Sequence, residues 1–231
     1  MAKFLKMENC KSCNRMIDLF KVMTKEEIEF LNEKRYEVQF NAGEIIFKQG
    51  TSLTHIVCVT DGLVKIYIEG YNRRNLIMSL VRGGEMIAGP GMWTDNRHHF
   101  SVAAVEETTT CFVELPVFVE IVNKNPNLAN ELLKRASERD IRHFEKMITL
   151  TQKQMHGKVA DLLLYLNKNI YTTNPMYLTI SRQDMADMVS ITKESLIRVL
   201  KEFKDAGFIS IQGNELKILN EKVLQNVSEN G

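Results

Sequence analysis

Three observations predict an α+β fold. Residues 36–115 alternate apolar with polar positions and are punctuated by Gly43, Gly50, Gly62, Gly70, Gly83, Gly84, Gly89 and Gly91, the pattern of short antiparallel strands joined by tight turns. A heavily charged stretch, Asn127 to Thr149, keeps helical spacing. Beyond it, SRQDMADMVSITKESLIRVLK (Ser181 to Lys201) reads as two short helices about a tight turn, and a two-residue hairpin signal follows. The order implied is a rolled sheet, a long helix and a winged helix-turn-helix. At 231 residues the chain is long enough for two domains, each with its own core.

Composition narrows the function class. Apolar content of 44% and charged content of 26% are those of an ordinary globular protein. A net charge of +1 excludes a wholly basic nucleic-acid protein, so any DNA contact must come from a local patch such as Lys193, Arg198, Lys201 and Lys204. No apolar run approaches a membrane span and the N-terminus lacks a signal-peptide core, which predicts a cytoplasmic protein with no membrane partner.

In chain order, Cys10 and Cys13 form a Cys-x-x-Cys pair that suits metal ligation or dithiol cycling, although two thiolates do not fill a tetrahedral site. Cys58 and Cys111 lie in apolar strand-like segments, where a thiol acts as a small hydrophobe. Thr24 and Glu27 stand at capping-box spacing and start a helix to Lys34. In the alternating region Val64, Ile66 and Ile68 are placed on one face, as are Leu76, Met78 and Leu80; a sheet rolled in this way hides its edges and can enclose a small cavity. Pro116 to Pro126 reads as a helical turn region. The long helix carries two apolar stripes: Leu132, Ala136, His143, Met147 and Leu150, and separately Ile141, Phe144 and Ile148. A helix apolar on two sides is covered on two sides, either within its own chain or by the same helix of a second copy. Gly157 to Leu166 is a further helix, Asn167 to Pro175 a loop, and Leu178 to Ile180 a short strand.

The helix pair has a chemical use. Ser181 caps a helix starting at Arg182, with Asp184 three residues on and Met185, Ala186, Met188 and Val189 as its apolar face. Thr192 caps the second helix, whose Leu196, Val199 and Leu200 face inward. Its outward residues suit a DNA major groove: Arg198 and Lys193 can donate to guanine, and Glu194 can accept from cytosine. Thr192, Lys201 and Lys204 suit phosphates, and Arg182, Gln183 and Ser195 join the same polar surface. A plain amphipathic hairpin with a solvated outer face is the alternative. Gly207 and the flanks of Gly213-Asn214, Phe208 to Ile211 and Leu216 to Ile218, add the wing that favours DNA. No nucleophile with its base, carboxylate pair or filled metal site is legible, so no enzyme is expected.

GEIIFKQG (Gly43 to Gly50), DGLVKIY (Asp61 to Tyr67) and SRQDMADMVSITKESLIRVLKEFKDAGFI resemble the CRP/FNR family of bacterial transcription factors over nearly the whole chain. The resemblance implies a double-stranded β-roll of the cyclic-nucleotide-binding jelly-roll type over residues 1–126, a dimerisation helix over 127–150, and a winged helix-turn-helix over 151–231. It also implies a homodimer on a palindromic double-stranded DNA operator, RNA polymerase as a partner, and a small-molecule effector in the roll. Guanine reading falls by resemblance on Arg198, acidic base reading on Glu194 and the more variable reader on Lys193. The glycine usual in the turn is replaced by Ser190. The effector pocket falls around Gly89, Gly91, His99, Ser101, His143 and Phe144. Gly89 stands where cyclic-AMP binders hold ribose with a glutamate, and Phe100 stands where an arginine precedes Ser101, so cyclic AMP is expected to bind weakly or not at all. An iron–sulfur cluster is poorly matched: Leu19 and Val113 occupy positions that should be cysteine. Haem would draw its axial ligand from His55, His98, His99, His143 or His156.

Overall fold

The computed structural model describes residues 2–5 and 17–231, so Cys10 and Cys13 lie outside the described residues. These residues form two compact units, one from the described part of Met1–Glu69 with Ser79–Asp140, the other from Gly70–Met78 with Ile141–Gly231.

The first unit is built on strands β1 (Lys3–Phe4), β2 (Arg35–Phe40), β3 (Ile45–Phe47), β4 (His55–Asp61), β5 (Leu63–Glu69), β6 (Asn75–Arg82), β7 (Glu85–Ile87), β8 (Ser101–Ala104) and β9 (Thr108–Glu114). They make a five-stranded sheet, β1-β2-β9-β4-β7, and a four-stranded sheet, β3-β8-β5-β6. The paired strands are antiparallel; β9 lies at the centre of the first sheet, with Tyr36↔Phe112 on one side and Val57↔Phe112 on the other. Val59, Val64, Ile87 and Val102 pack between the sheets with Ile46, Phe47, Ile66, Val81 and Phe100 around them. The opposite face of the first sheet is covered by helices α1 (Lys25–Glu33) and α2 (Leu115–Lys124), burying Leu31, Ile56, Cys58, Cys111, Val113 and Phe118. α1 starts where its cap predicts: Glu27 N donates to Thr24 Oγ1 and Thr24 N to Glu27 Oε2.

α3 (Pro126–Gln152) contributes its N-terminal part to the first unit and the rest to the second. The second unit continues with α4 (Met155–Tyr165), β10 (Met176–Tyr177), α5 (Arg182–Val189), α6 (Lys193–Asp205), β11 (Ile209–Gln212), β12 (Glu215–Ile218) and α7 (Glu221–Asn230). The wing is the sheet β10-β12-β11, with Ile211↔Leu216 and Gln212↔Glu215 closing on Gly213-Asn214.

Several local expectations are corrected. In β5, Tyr67 is buried and Ile68 exposed, and in β6 Ile77 is buried while Leu76 and Met78 are only half-buried. Both faces of these strands are partly covered, so period two does not single out one of them. The turn region at Pro116 is a ten-residue helix, with the proline in its first turn, where it removes no helical bond. Asn167 does not open a loop; α4 runs on as a π-helical turn, Leu166–Tyr171. The strand expected at Leu178–Ile180 is displaced to Met176–Tyr177. The N–H groups of Thr179 and Ile180 instead donate to the Tyr171 hydroxyl, which takes the place of a strand partner. Met147 is exposed alongside Phe144 and Ile148 and does not belong to the covered stripe.

Lys146 is one functional-looking group that periodicity did not mark. Within the second unit its Nζ donates to the carbonyls of Ile77 (2.7 Å) and Met78 (3.2 Å). Burial pushes the amine down to about 8 from an ordinary 10.5. Across that window the unfolded chain holds a proton that the folded chain has released, so stability rises with pH between about 8 and 10.5. Melting temperatures of the wild type and Lys146→Met, followed through this window, should show a shallower rise in the variant. Parallel curves would remove Lys146 as the cause.

Candidate nucleic-acid interface

The interface is assembled by two caps and one apolar stripe. Asp184 N donates to Ser181 Oγ at 3.0 Å, which starts α5 at Arg182. The Asp184 carboxylate accepts from the Ser181 hydroxyl at 2.8 Å. Ser190 ends α5 with φ 55° and ψ 44°, a left-handed conformation that costs an L residue about 1–2 kcal/mol. Ser195 N donates to Thr192 Oγ1 at 3.1 Å and opens α6. Leu196, Val199, Leu200 and Phe203 are buried, and Gly207, with φ +73°, supplies the left-handed residue that terminates the helix.

With that stripe inward, Lys193, Glu194, Arg198 and Lys201 are exposed on α6, and so is Lys204 near its end. Arg198 Nη2 lies 3.8 Å from Met155 Sδ, a soft contact that leaves its other donors available. Lys204 Nζ reaches the Ile211 carbonyl at 3.4 Å, on the first strand of the wing. Thr192 donates to Ser195 Oγ at 3.0 Å, so these hydroxyls are partly engaged with each other. Gln183 is exposed and donates to Asp187, whereas Arg182 is half-buried, with Nη1 3.1 Å from Met185 Sδ and a guanidinium pKa lowered by burial. Arg182 therefore presents less of its cation than the others. Ile197 is 48% exposed among the polar readers, an apolar side chain suited to a thymine methyl. Its signal was available: it falls on the side of α6 opposite Leu196, Val199 and Leu200.

The residues expected to form an effector pocket fall in both units. Gly89, Gly91, His99 and Ser101 lie in the first unit, His143 and Phe144 in the second. Gly91 cannot be replaced without movement, because a Cβ would sit 1.9 Å from the Arg97 carbonyl oxygen. His99 is partly exposed and its Nε2 lies 3.0 Å from Asp95, holding that carboxyl below the usual carboxylate range. Ser101 is fully buried, accepts from Gln49 N and donates to Glu69 Oε1, both at 2.9 Å. Lys48 Nζ stands 3.8 Å from the same Glu69 carboxylate. Arg97 donates to the Gly50 carbonyl at 3.1 Å. The Ser101 hydroxyl thus already donates to a carboxylate.

Comparison with known proteins gives the family. Residues 157–227 match the Crp-like helix-turn-helix domain, and residues 37–125 match the cyclic nucleotide-binding domain. The transcriptional activator protein Anr of Pseudomonas aeruginosa is 25% identical over 224 residues, 94% of this chain and 91% of that protein. The nitrogen fixation regulation protein FixK of Bradyrhizobium diazoefficiens is 26% identical over 202 residues, 84% of this chain and 81% of that protein. The chain belongs to the CRP/FNR family. Its fold is also that of the solved FixK2 structure from Bradyrhizobium japonicum, with a TM-score of 0.76 and 20% identity, covering 84% of this chain and 96% of that one.

As a CRP/FNR regulator, the chain is a DNA-binding transcription factor. Among the described residues no helix is long and apolar enough to cross a membrane, and no group of three or more histidine, cysteine or acidic side chains could hold a metal ion. The cysteine positions left open in the sequence are resolved in part. Leu19 and Val113 are fully buried apolar residues, and Cys58 faces Cys111 across β4 and β9. Of the histidines, His156 is engaged by Glu202 at 2.6 Å and His55 by Thr54 at 2.9 Å, while buried His98 stacks on Phe47 at 3.8 Å between ring centroids.

Proposed function

We propose that this CRP/FNR regulator acts as a homodimer that reads a palindromic operator through two copies of α6 and answers to an effector other than cyclic AMP. The observation that carries the dimer is the uncovered apolar face of α3. Leu133, Ile141, Phe144, Met147 and Ile148 are each more than half exposed along one 27-residue helix. A soluble protein rarely leaves such a stripe to water, and a parallel copy would cover it as a coiled-coil seam. Two recognition helices related by a two-fold axis then address half-sites about 34 Å apart. In this reading residues 1–126 sense, 127–150 dimerise and 151–231 bind DNA, with RNA polymerase the partner on the promoter.

Roles on the DNA follow from side-chain chemistry. Arg198 has a planar fork of donors that matches the two acceptors of guanine, Glu194 accepts from cytosine, and Lys193 adds a less directional donor. Ile197 offers apolar contact to thymine. Thr192, Lys201 and Lys204 hold phosphates and set register. Arg182 and Gln183 on α5, with Ser195, complete the polar surface. Against cyclic AMP stands the Ser101–Glu69 hydrogen bond, since a phosphate there would meet a carboxylate in a half-buried site.

Three outcomes are expected. Arg198→Ala should weaken the specific operator by about 1–3 kcal/mol and relax discrimination at one base pair, whereas Lys204→Ala should weaken all sequences alike and reduce the salt slope by about one. Binding titrations on operator and random duplexes at several salt concentrations separate the two, and an Arg198→Ala loss of equal size on random DNA would sink its assignment. Phe144→Glu should convert the dimer to monomer in light scattering; a variant that keeps twice the chain mass would rule out the α3 seam. Calorimetric titration with cyclic AMP should give no saturable heat, and a saturable heat would overturn the argument from Ser101 and Glu69.

A further inference from the structure

We propose that Cys58 and Cys111 form a redox modification site whose substrate class is a hydroperoxide and whose product is an intrachain disulfide joining β4 to β9. This inference does not rest on the proposed DNA reading. Cys58 and Cys111 are direct partners in the β4–β9 register, inside the unbroken run from His55 to Val59 and before the irregularity at Val59/Asp61. Residues directly opposed in an antiparallel pair have Cα atoms about 4.5–5.5 Å apart, inside the span of about 4.4–6.8 Å that a disulfide bridges. The Cα separation of such a pair is one that a disulfide spans, and the Cβ atoms, about 4.5–5.5 Å apart in an opposed pair, must draw together to about 3.5–4.5 Å.

Register alone would leave two thiols acting as small hydrophobes in the core beneath α1 and α2. Arg35 is the second observation. It is the one charged residue in the buried class among the described residues, and its Nη1 donates to Cys111 Sγ at 3.5 Å. The same guanidinium donates from Nη1 to Glu37 Oε1 at 2.7 Å and from Nε to Asn32 Oδ1 at 3.0 Å. Glu37 offsets part of the positive charge, and it faces Cys111 across β2 and β9. A cation donating to sulfur favours the thiolate, the form that attacks an oxidant, and acts against the opposing effect of burial. Cys58 is the more deeply buried of the two, 1% exposed against 6% for Cys111. This asymmetry assigns Cys111 as the attacking sulfur and Cys58 as the resolving one.

The step balances with the peroxide as oxidant. The Cys111 thiolate attacks one peroxide oxygen, the O–O bond breaks, and the departing hydroxide takes a proton to become water. The Cys58 sulfur then attacks the Cys111 sulfenic acid, the S–O bond breaks, and the Cys58 proton leaves with the hydroxyl as a second water. Two thiols are oxidised by two electrons, and one hydrogen peroxide is reduced to two waters; an alkyl hydroperoxide gives one water and the alcohol in place of the first water.

The test uses the full chain carrying Cys10→Ser and Cys13→Ser, which reduces its four cysteines to this pair. Protein treated with hydrogen peroxide and quenched with catalase is denatured in iodoacetamide and analysed by intact mass and peptide mapping. The expected result is loss of two hydrogens, no alkylation, and a linked pair of peptides that dithiothreitol separates. With Cys58→Ser, Cys111 should stall as a sulfenic acid trapped by dimedone; with Cys111→Ser, Cys58 should remain unlabelled. Arg35→Met should slow disulfide formation about tenfold, and Arg35→Lys, which keeps a cation for Glu37, should slow it less. Full alkylation of both cysteines after peroxide, or dimedone labelling of Cys58 equal to that of Cys111, would overturn the site. Rates unchanged in both Arg35 variants would overturn the assigned role of the guanidinium.

Discussion

The interface depends on the burial of one stripe of α6. Leu196, Val199, Leu200 and Phe203 are buried, and in a helix of thirteen residues this fixes where every other side chain points. Each such side chain contributes about 1.5–3 kcal/mol on burial. The left-handed Ser190 in the preceding turn costs less than any two of them together, so the turn is held in place by the helix that follows it. Lys193, Glu194, Arg198 and Lys201 are outward as a consequence. DNA recognition in this regulator therefore rests on a packing decision, and the readers are presented without any special local strain of their own.

The sensor unit follows a different logic. Its roll interior is apolar, filled by Val59, Val64, Ile87, Val102 and their neighbours, and polar groups near Ser101 already satisfy one another. Gln49, Ser101, Glu69 and Lys48 form a short chain of donors and acceptors in which the serine hydroxyl is both donor and acceptor. The Ser101 hydroxyl's single donor is committed to Glu69, so this serine can donate to an anion only if Glu69 moves. The other sheet, β1-β2-β9-β4-β7, carries the Arg35–Cys111 contact.

Helix caps, the hairpin and the recognition face were legible because each is local. Thr24 with Glu27, Thr192 with Ser195, and Gly213-Asn214 make their bonds within a few residues, and nothing distant competes with them. Strands were less legible. Ile68 and Ile77 broke the expected alternation because both faces of their strands are partly covered, and Leu178–Ile180 lost its ladder to the Tyr171 hydroxyl. The expected effector set drew on positions far apart in the chain, and side-chain partners within it were not legible. His99 turned to Asp95 at the surface, and Ser101 was paired with a glutamate that no motif had marked.

Sequence by itself determined the family resemblance, the order of elements and which side chains are candidates to read a base, because those follow from residue type at short spacing. Only the tertiary structure decided which of these groups are already engaged. It withdrew part of Arg182 into a half-buried site, placed Ile197 on the polar face, desolvated Lys146 against two carbonyls, and set Arg35 on Cys111 from a position 76 residues earlier. Burial and pairing between distant residues are properties of the packed chain. No pattern of neighbouring residues encodes them.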